Sequence, residues 1–227
     1  MKNTYVRALR EGAGRTATAG YSLVEVMIAL VVMSFLLGAL ALVTMSGRGT
    51  YEQDFLNSNV DALVRRTIAH VADELLDADR STIALDPGAP FPSTGLDYRR
   101  GLGWGGALLT SPTRRLRLEY MPGEVDDGLD NNGNGLIDEC RVVFTPDFDN
   151  EPGLTVTRAN WVRELLEGEL PNGVDDNGNG VVDEGGFFVT FDPATGLFTA
   201  ALTLERRNRE GRLVTRTART SVRVRND

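Results

Sequence analysis

The longest apolar run in the chain, residues 26–43 (VMIALVVMSFLLGALALV), carries no charged side chain and is followed closely by Ser46, Gly47 and Arg48. With its flanks, residues 21–45, it would rise about 37 Å as a helix, enough to cross a hydrocarbon core of about 30 Å. The apolar core of an ordinary secretory signal, about 7–15 residues, is shorter. The pattern therefore predicts a transmembrane helix over 21–45. From 51 to 79, Phe55, Val60, Leu63, Val64, Ile68, Val71, Leu75 and Leu76 recur at helical spacing, with Arg65, Arg66, Asp73 and Asp77 elsewhere. That stripe predicts an amphipathic helix continuing the membrane segment.

After Pro87, Pro90 and Pro92 the period changes to two: Leu116, Leu118 and Tyr120 alternate with Arg115, Arg117 and Glu119. Such alternation marks a half-buried strand. Comparable runs cover 141–144, 154–157, 187–191, 197–204 and 213–224, separated by turn chemistry such as Asp192-Pro193-Ala194-Thr195-Gly196. The predicted fold class is α+β: a long N-terminal helix, transmembrane in its first half, packed on an antiparallel β-sheet so that both apolar faces are buried. The organisation expected is a leader at 1–20, a membrane helix at 21–45, its amphipathic second half at 46–80, and a sheet domain at 81–227 with acidic loops at 124–139 and 167–184.

Composition narrows the chemistry. The 227 residues hold one cysteine, Cys140, and one histidine, His70, which excludes an intrachain disulfide, a cysteine zinc site and a catalytic centre built on several imidazoles. The formal net charge is -8. Residues 1–20 contain Lys2, Arg7, Arg10 and Arg15 against Glu11, so the acid lies further on. It is concentrated in Glu124, Asp126, Asp127, Asp130, Asp138 and Glu139, and in Glu167, Glu169, Asp175, Asp176, Asp183 and Glu184, two windows without Lys or Arg. Clustered carboxylates without an internal cation repel one another and call for an external one. No specific nucleic-acid partner is expected. Because the positive residues precede the apolar run, the N-terminus should face the cytoplasm and the remainder should be exported.

At the start of that run stands Gly20-Tyr21-Ser22-Leu23-Val24-Glu25-Val26. This resembles the processing site of type IV prepilins and type II secretion pseudopilins. The resemblance implies that prepilin peptidase cuts after Gly20 and methylates the new N-terminus at Tyr21, which stands where Phe is more usual. It also implies that Glu25 is the assembly carboxylate, pairing with the N-terminal amine of a neighbouring pilin. A lone carboxylate at the start of an apolar helix is costly to desolvate and marks function unless it stays wet at the headgroups. An ordinary secretory signal cut after Ala39-Leu40-Ala41 is the competing reading, and predicts a mature chain without the anchor. Residues 64–75 and the late sheet resemble, more loosely, a J-type minor pseudopilin or a W-type minor pilin. The location implied is the inner membrane, single-pass, with a periplasmic C-terminal domain assembled into a pilus or pseudopilus.

The two acidic windows repeat one another. Asp127-Gly-Leu-Asp-Asn-Asn-Gly-Asn-Gly-Leu-Ile-Asp-Glu139 is matched by Asn172-Gly-Val-Asp-Asp-Asn-Gly-Asn-Gly-Val-Val-Asp-Glu184. Oxygen-bearing side chains at alternate positions followed by glycine are how the first half of an EF-hand loop wraps calcium. On that analogy one site takes Asp130, Asn132, Asn134, the Leu136 carbonyl and Asp138 or Glu139. The other takes Asp175, Asn177, Asn179, the Val181 carbonyl and Asp183 or Glu184. All-oxygen donors favour Ca²⁺, two ions in all. The twelfth loop position is Arg141 or Gly186 rather than a bidentate Glu, which leaves the last ligand open. The phrase also resembles repeats of bacterial surface metal-binding proteins, with Gly133 and Gly178 where cysteines often stand. The alternative is a pair of solvated Asx-Gly turns.

Gly101-Leu-Gly-Trp-Gly-Gly106 fits GxGxxG but precedes strand-like residues, so it reads as a turn rather than a phosphate loop. His70 and Cys140 are expected to pack. The Arg-rich 205–227 reads first as a solvated face. The function expected is a minor pilin or pseudopilin stabilised by calcium, with a single-pass calcium-dependent surface binding protein as the alternative. No enzymatic activity is expected.

Overall fold

The computed structural model describes residues 20–86, 92–208 and 211–224. The leader expected at 1–20 lies outside the described residues except for Gly20. The chain divides into two units, Met1–Gly49 and Thr50–Asp227. One helix, α1 (Leu23–Leu76), contributes to both.

In the first unit the helix is apolar on all sides and its side chains are exposed, Phe35 at 76% and Leu42 at 70%. A helix apolar all round is buried either in protein or in lipid, and this one is long and apolar enough to cross a membrane. The hydroxyls inside it are satisfied locally: Ser34 donates to the Val31 carbonyl at 2.7 Å and Thr44 to the Leu40 carbonyl at 2.8 Å.

In the second unit α1 changes character. Val60, Val64, Ile68, Val71 and Leu75 are buried at steps of three and four and join one core with Leu96, Leu116, Val142, Phe144, Phe187, Val189, Leu202 and Leu204. The sheet facing them contains β1 (Ala84–Asp86), β2 (Gly95–Tyr98), β5 (Arg114–Tyr120), β6 (Cys140–Thr145), β7 (Val156–Val162), β8 (Phe187–Asp192), β9 (Leu197–Arg207) and β10 (Leu213–Arg223). Its order is β1-β2-β5-β6-β7-β9-β10 with β8 also paired to β9, and every pairing is antiparallel. The long apolar helix followed by an antiparallel sheet is a pilin-like α+β arrangement.

Three details differ from expectation. The helix stops at Leu76, short of the expected 80, because Ala78 already bridges Arg100 and the Asp79 carboxylate caps a 3-10 turn, Arg80–Thr82, by accepting the Ser81 N–H at 3.0 Å. The strand expected at 154–157 lies at Val156–Val162, where Ala159 and Val162 face the core. The glycine-rich 101–106 is more than a turn: β3 (Gly101–Trp104) pairs with β4 (Leu108–Thr110) in a separate hairpin that leaves Trp104 77% exposed.

Where the helix ends, Glu74 anchors it to the sheet. This carboxylate is 4% exposed and accepts the Tyr98 hydroxyl at 2.6 Å and the Arg114 guanidinium at 2.9 Å and 3.1 Å. Burial and the neighbouring Glu74 charge raise the Tyr98 phenol well above its usual range. Antiparallel order then fixes where the acidic loops emerge. Residues 121–139 join the end of β5 to the start of β6, and residues 163–186 join the end of β7 to the start of β8, so both leave the same end of the sheet.

Candidate cation loops and assembly segment

Ser22 and Glu25 form a reciprocal cap at the start of α1. The Ser22 Oγ accepts the Val24 N–H at 3.3 Å, and the Ser22 N–H donates to Glu25 Oε2 at 3.2 Å. Ser-x-x-Glu is the capping-box pattern, readable in the sequence although only the carboxylate was singled out there. It places Glu25 in the first turn, where the helix dipole favours a negative charge. Gly20 and Tyr21 precede the helix and are exposed.

The two acidic loops fold as near-copies. Asp130 Oδ1 accepts the N–H groups of Gly133 at 2.7 Å and Asn134 at 3.1 Å, and Oδ2 accepts Gly135 at 2.7 Å. Asp175 repeats the pattern with Gly178, Asn179 and Gly180 at the same three distances. Asn132 and Asn177 each accept the next-but-one N–H at 3.1 Å, and Asn134 and Asn179 accept the Leu136 and Val181 N–H groups at 2.9 Å. The tight curl requires a left-handed residue at Gly135 (φ 89) and Gly180 (φ 88), a conformation that glycine adopts without a Cβ penalty. Leu136, 5% exposed, pins the first loop; its counterpart Val181 is half-buried.

Each loop is closed by a buried glutamate. Glu139 (2% exposed) and Glu184 (0%) direct Oε1 at the loop: Glu139 receives the amide of Asn132 at 2.6 Å and that of Asn134, and Glu184 receives that of Asn179. Their Oε2 atoms are buried without a hydrogen-bond partner, as is the Asn177 Nδ2. Leaving such a group unpaired costs about 1–3 kcal/mol, more when it is charged. The preceding aspartates point elsewhere. Asp138 accepts the Asp127 and Gly128 N–H groups at 3.3 and 2.8 Å, and Asp183 accepts those of Asn172 and Gly173 at the same distances. Of the two closing candidates in each loop, the glutamate is the one facing Asn134 or Asn179.

Sequence reasoning missed Glu124 and Glu169. Both are buried, at 6% and 1%. Glu124 accepts the Asn132 and Asn131 N–H groups at 2.7 and 3.4 Å, and Glu169 those of Asn177 and Asp183 at 2.9 and 3.2 Å. The signal was present, since a Gly-Glu pair, Gly123-Glu124 and Gly168-Glu169, opens both copies.

Among the described residues the ion pairs at hand, such as Arg65–Asp61, Arg99–Asp149, Arg114–Glu74, Arg115–Asp97 and Arg141–Glu119, include no loop carboxylate. Nor do three His, Cys, Asp or Glu side chains converge there as a metal cage. Each loop instead offers two carboxylates supplemented by asparagine and backbone oxygens. Burial, Asp126 and Asp138 raise the Glu164 carboxyl, and burial together with Glu164 pushes the Cys140 thiol up to about 12. Cys140 therefore packs as a neutral side chain. His70 packs edge-on to Phe144 at 5.4 Å, and burial followed by the Arg158 charge lowers its pKa. Leu136 and Ile137 of one loop and Leu170 and Pro171 of the other line a shared cleft of about 330 Å³.

An apolar helix capped by Ser22 and Glu25, long and apolar enough to cross a membrane and followed by a sheet domain, is consistent with a membrane-anchored chain of pilin-like architecture. Residues 15–41 match the family described as the prokaryotic N-terminal methylation motif. That match supports a type IV pilin-like protein, a structural class, and implies processing by prepilin peptidase and assembly with other pilins. No curated protein and no solved structure matches the chain.

Proposed function

We propose that this chain is a minor pilin or pseudopilin, a structural or priming subunit of a type IV pilus or a type II secretion pseudopilus. Prepilin peptidase cuts it after Gly20, Tyr21 becomes the methylated N-terminus, and the inner membrane stores the subunit with its sheet domain in the periplasm. On assembly Glu25 exchanges the Ser22 N–H for the N-terminal amine of a neighbouring pilin. Two calcium ions brace the acidic loops. The carrying observation is the match over residues 15–41 together with Glu25 at the start of a helix whose apolar surface is exposed all round.

Intact mass of the membrane-extracted protein tests the cut: a chain beginning at methylated Tyr21 supports the reading, and one beginning near Leu42 rejects it. Co-fractionation with sheared filaments tests assembly, with wild type present and Glu25→Ala depleted. The second reading, a calcium-dependent surface binding protein outside any filament, is favoured by the exposed apolar side chains on the two loops, among them Leu129, Ile137, Val174 and Val182. It gains if both wild type and Glu25→Ala are absent from the filament fraction.

A further inference from the structure

We infer that Glu139 and Glu184 are the closing ligands of two equivalent divalent-cation sites, and that bound cation is what stabilises this end of the sheet. The inference rests on the reading of the acidic loops as calcium loops and assigns their last ligand and their control over folding. The observation behind it is specific. Both carboxylates are buried almost completely, both aim Oε1 at the asparagine amide five residues earlier in the loop, and both keep Oε2 without a partner. Buried polar atoms are almost always paired. That the same exception recurs at equivalent positions of two copies, on a side chain whose other oxygen accepts a loop asparagine amide, points to the same kind of ligand in both.

The donor set suits calcium. Asp130, Asn132, Asn134 and Glu139 offer carboxylate and amide oxygens with neither thiol nor imidazole among them, as do Asp175, Asn177, Asn179 and Glu184. Calcium takes six to eight oxygen ligands in flexible geometry, whereas magnesium demands a stricter octahedron. Glu124 and Glu169 are positioning residues: they hold the N–H groups of Asn132 and Asn177 and so keep the loops curled with or without the ion.

The control follows from connectivity. Glu139 immediately precedes β6, whose first residue is Cys140, and Glu184 precedes the Gly185-Gly186 link into β8. Without a cation, two buried carboxylates oppose closure of the β5–β6 and β7–β8 connections; with one, they favour it. Extracellular calcium modules have dissociation constants of about 10⁻⁴–10⁻³ M, which sets the range in which occupancy should change.

The test uses the full-length chain, purified in detergent, stripped with chelator and titrated with Ca²⁺ alone by calorimetry, with melting followed in parallel. Wild type should bind two ions, Glu139→Gln or Glu184→Gln one, and the double variant none, whereas Asp138→Asn with Asp183→Asn should keep two. The Gln variants should melt below wild type in calcium but at or above it in chelator, because the substitution keeps the Oε1 acceptor of the asparagine amides and removes the carboxylate oxygen that has no partner. Glu124→Gln should weaken binding at one site without removing it. No uptake by wild type at millimolar calcium, two ions retained by the double Gln variant, or loss of binding in the Asp138/Asp183 pair instead overturns the inference. None of these readouts depends on filament formation, so failure of the pilin reading would appear separately in the Glu25 experiment.

Discussion

The N–H of Ser22 donates to the carboxylate of Glu25, 3.2 Å away, so the side chain expected to pair between subunits already has a partner within its own helix. Replacing Ser22 with Ala should remove the Oγ half of the cap at a cost of about 1 kcal/mol. Cleavage after Gly20 should persist, while the Val24 amide exchanges hydrogen faster in micelles. Unchanged exchange at Val24 would show that the cap is not made in a lipid-like environment.

Glu74 should be the most sensitive polar residue of the helix–sheet contact. Glu74→Ala leaves Arg114 and the Tyr98 hydroxyl without their shared acceptor, and removing one member of a buried pair costs about 3–5 kcal/mol. Tyr98→Phe, which keeps the ion pair, should cost about 1.5–3 kcal/mol. Denaturant unfolding of the full-length chain checks the order of the two.

Tyr98 also sets an alkaline limit. Its phenol is raised in the folded chain, so its contribution is complete below the ordinary value of 10.0 and is lost as pH climbs through the folded-state value. Wild type should lose more stability than Tyr98→Phe on moving above pH 10; parallel curves would contradict this.

His70 works in the opposite direction. Its pKa is lowered from 6.5 by burial and by the nearby Arg158, so the neutral ring is favoured in the folded state. The contribution is present above pH 6.5 and lost as pH falls through the folded-state value. Subtracting the pH–stability curve of His70→Gln from that of wild type isolates it, and a difference that grows with acidification would reverse the sign argued here.

Gly186 is demanded by space rather than by backbone angle. A Cβ there would sit 1.7 Å from the Arg163 carbonyl oxygen, and the Gly186 N–H and carbonyl are engaged by Glu164 and Thr203 at 2.8 and 2.7 Å. Gly186→Ala should therefore destabilise by at least about 1–3 kcal/mol, the usual range for overpacking. Gly153→Ala, where a Cβ meets open space, is the control.

Periodicity carried most of the fold. The apolar run marked the membrane-length helix, the stripe from Val60 to Leu75 marked its buried face, and alternation located β5, β6, β8, β9 and β10, because burial on one side writes its period into the side chains. Strands β1 to β4 were not visible: they are three or four residues long, and Gly95, Gly101 and Gly103 blur any alternation. The N-terminal motif was legible for the same local reason, since cap, carboxylate and apolar run are contiguous.

Sequence alone therefore determined what is written in neighbouring residues: the apolar helix of membrane-spanning length, the position of Glu25, and the existence of two matched oxygen-rich loops. Tertiary structure decided what depends on contacts between distant segments. It brought both loops to one end of the sheet, turned Asp138 and Asp183 towards backbone N–H groups, and directed the buried Glu139 and Glu184 at the loop asparagines. It also gave Glu124 and Glu169 their work, because a carboxylate's partners are set by which N–H groups the fold leaves unsatisfied within reach, and spacing along the chain does not encode that.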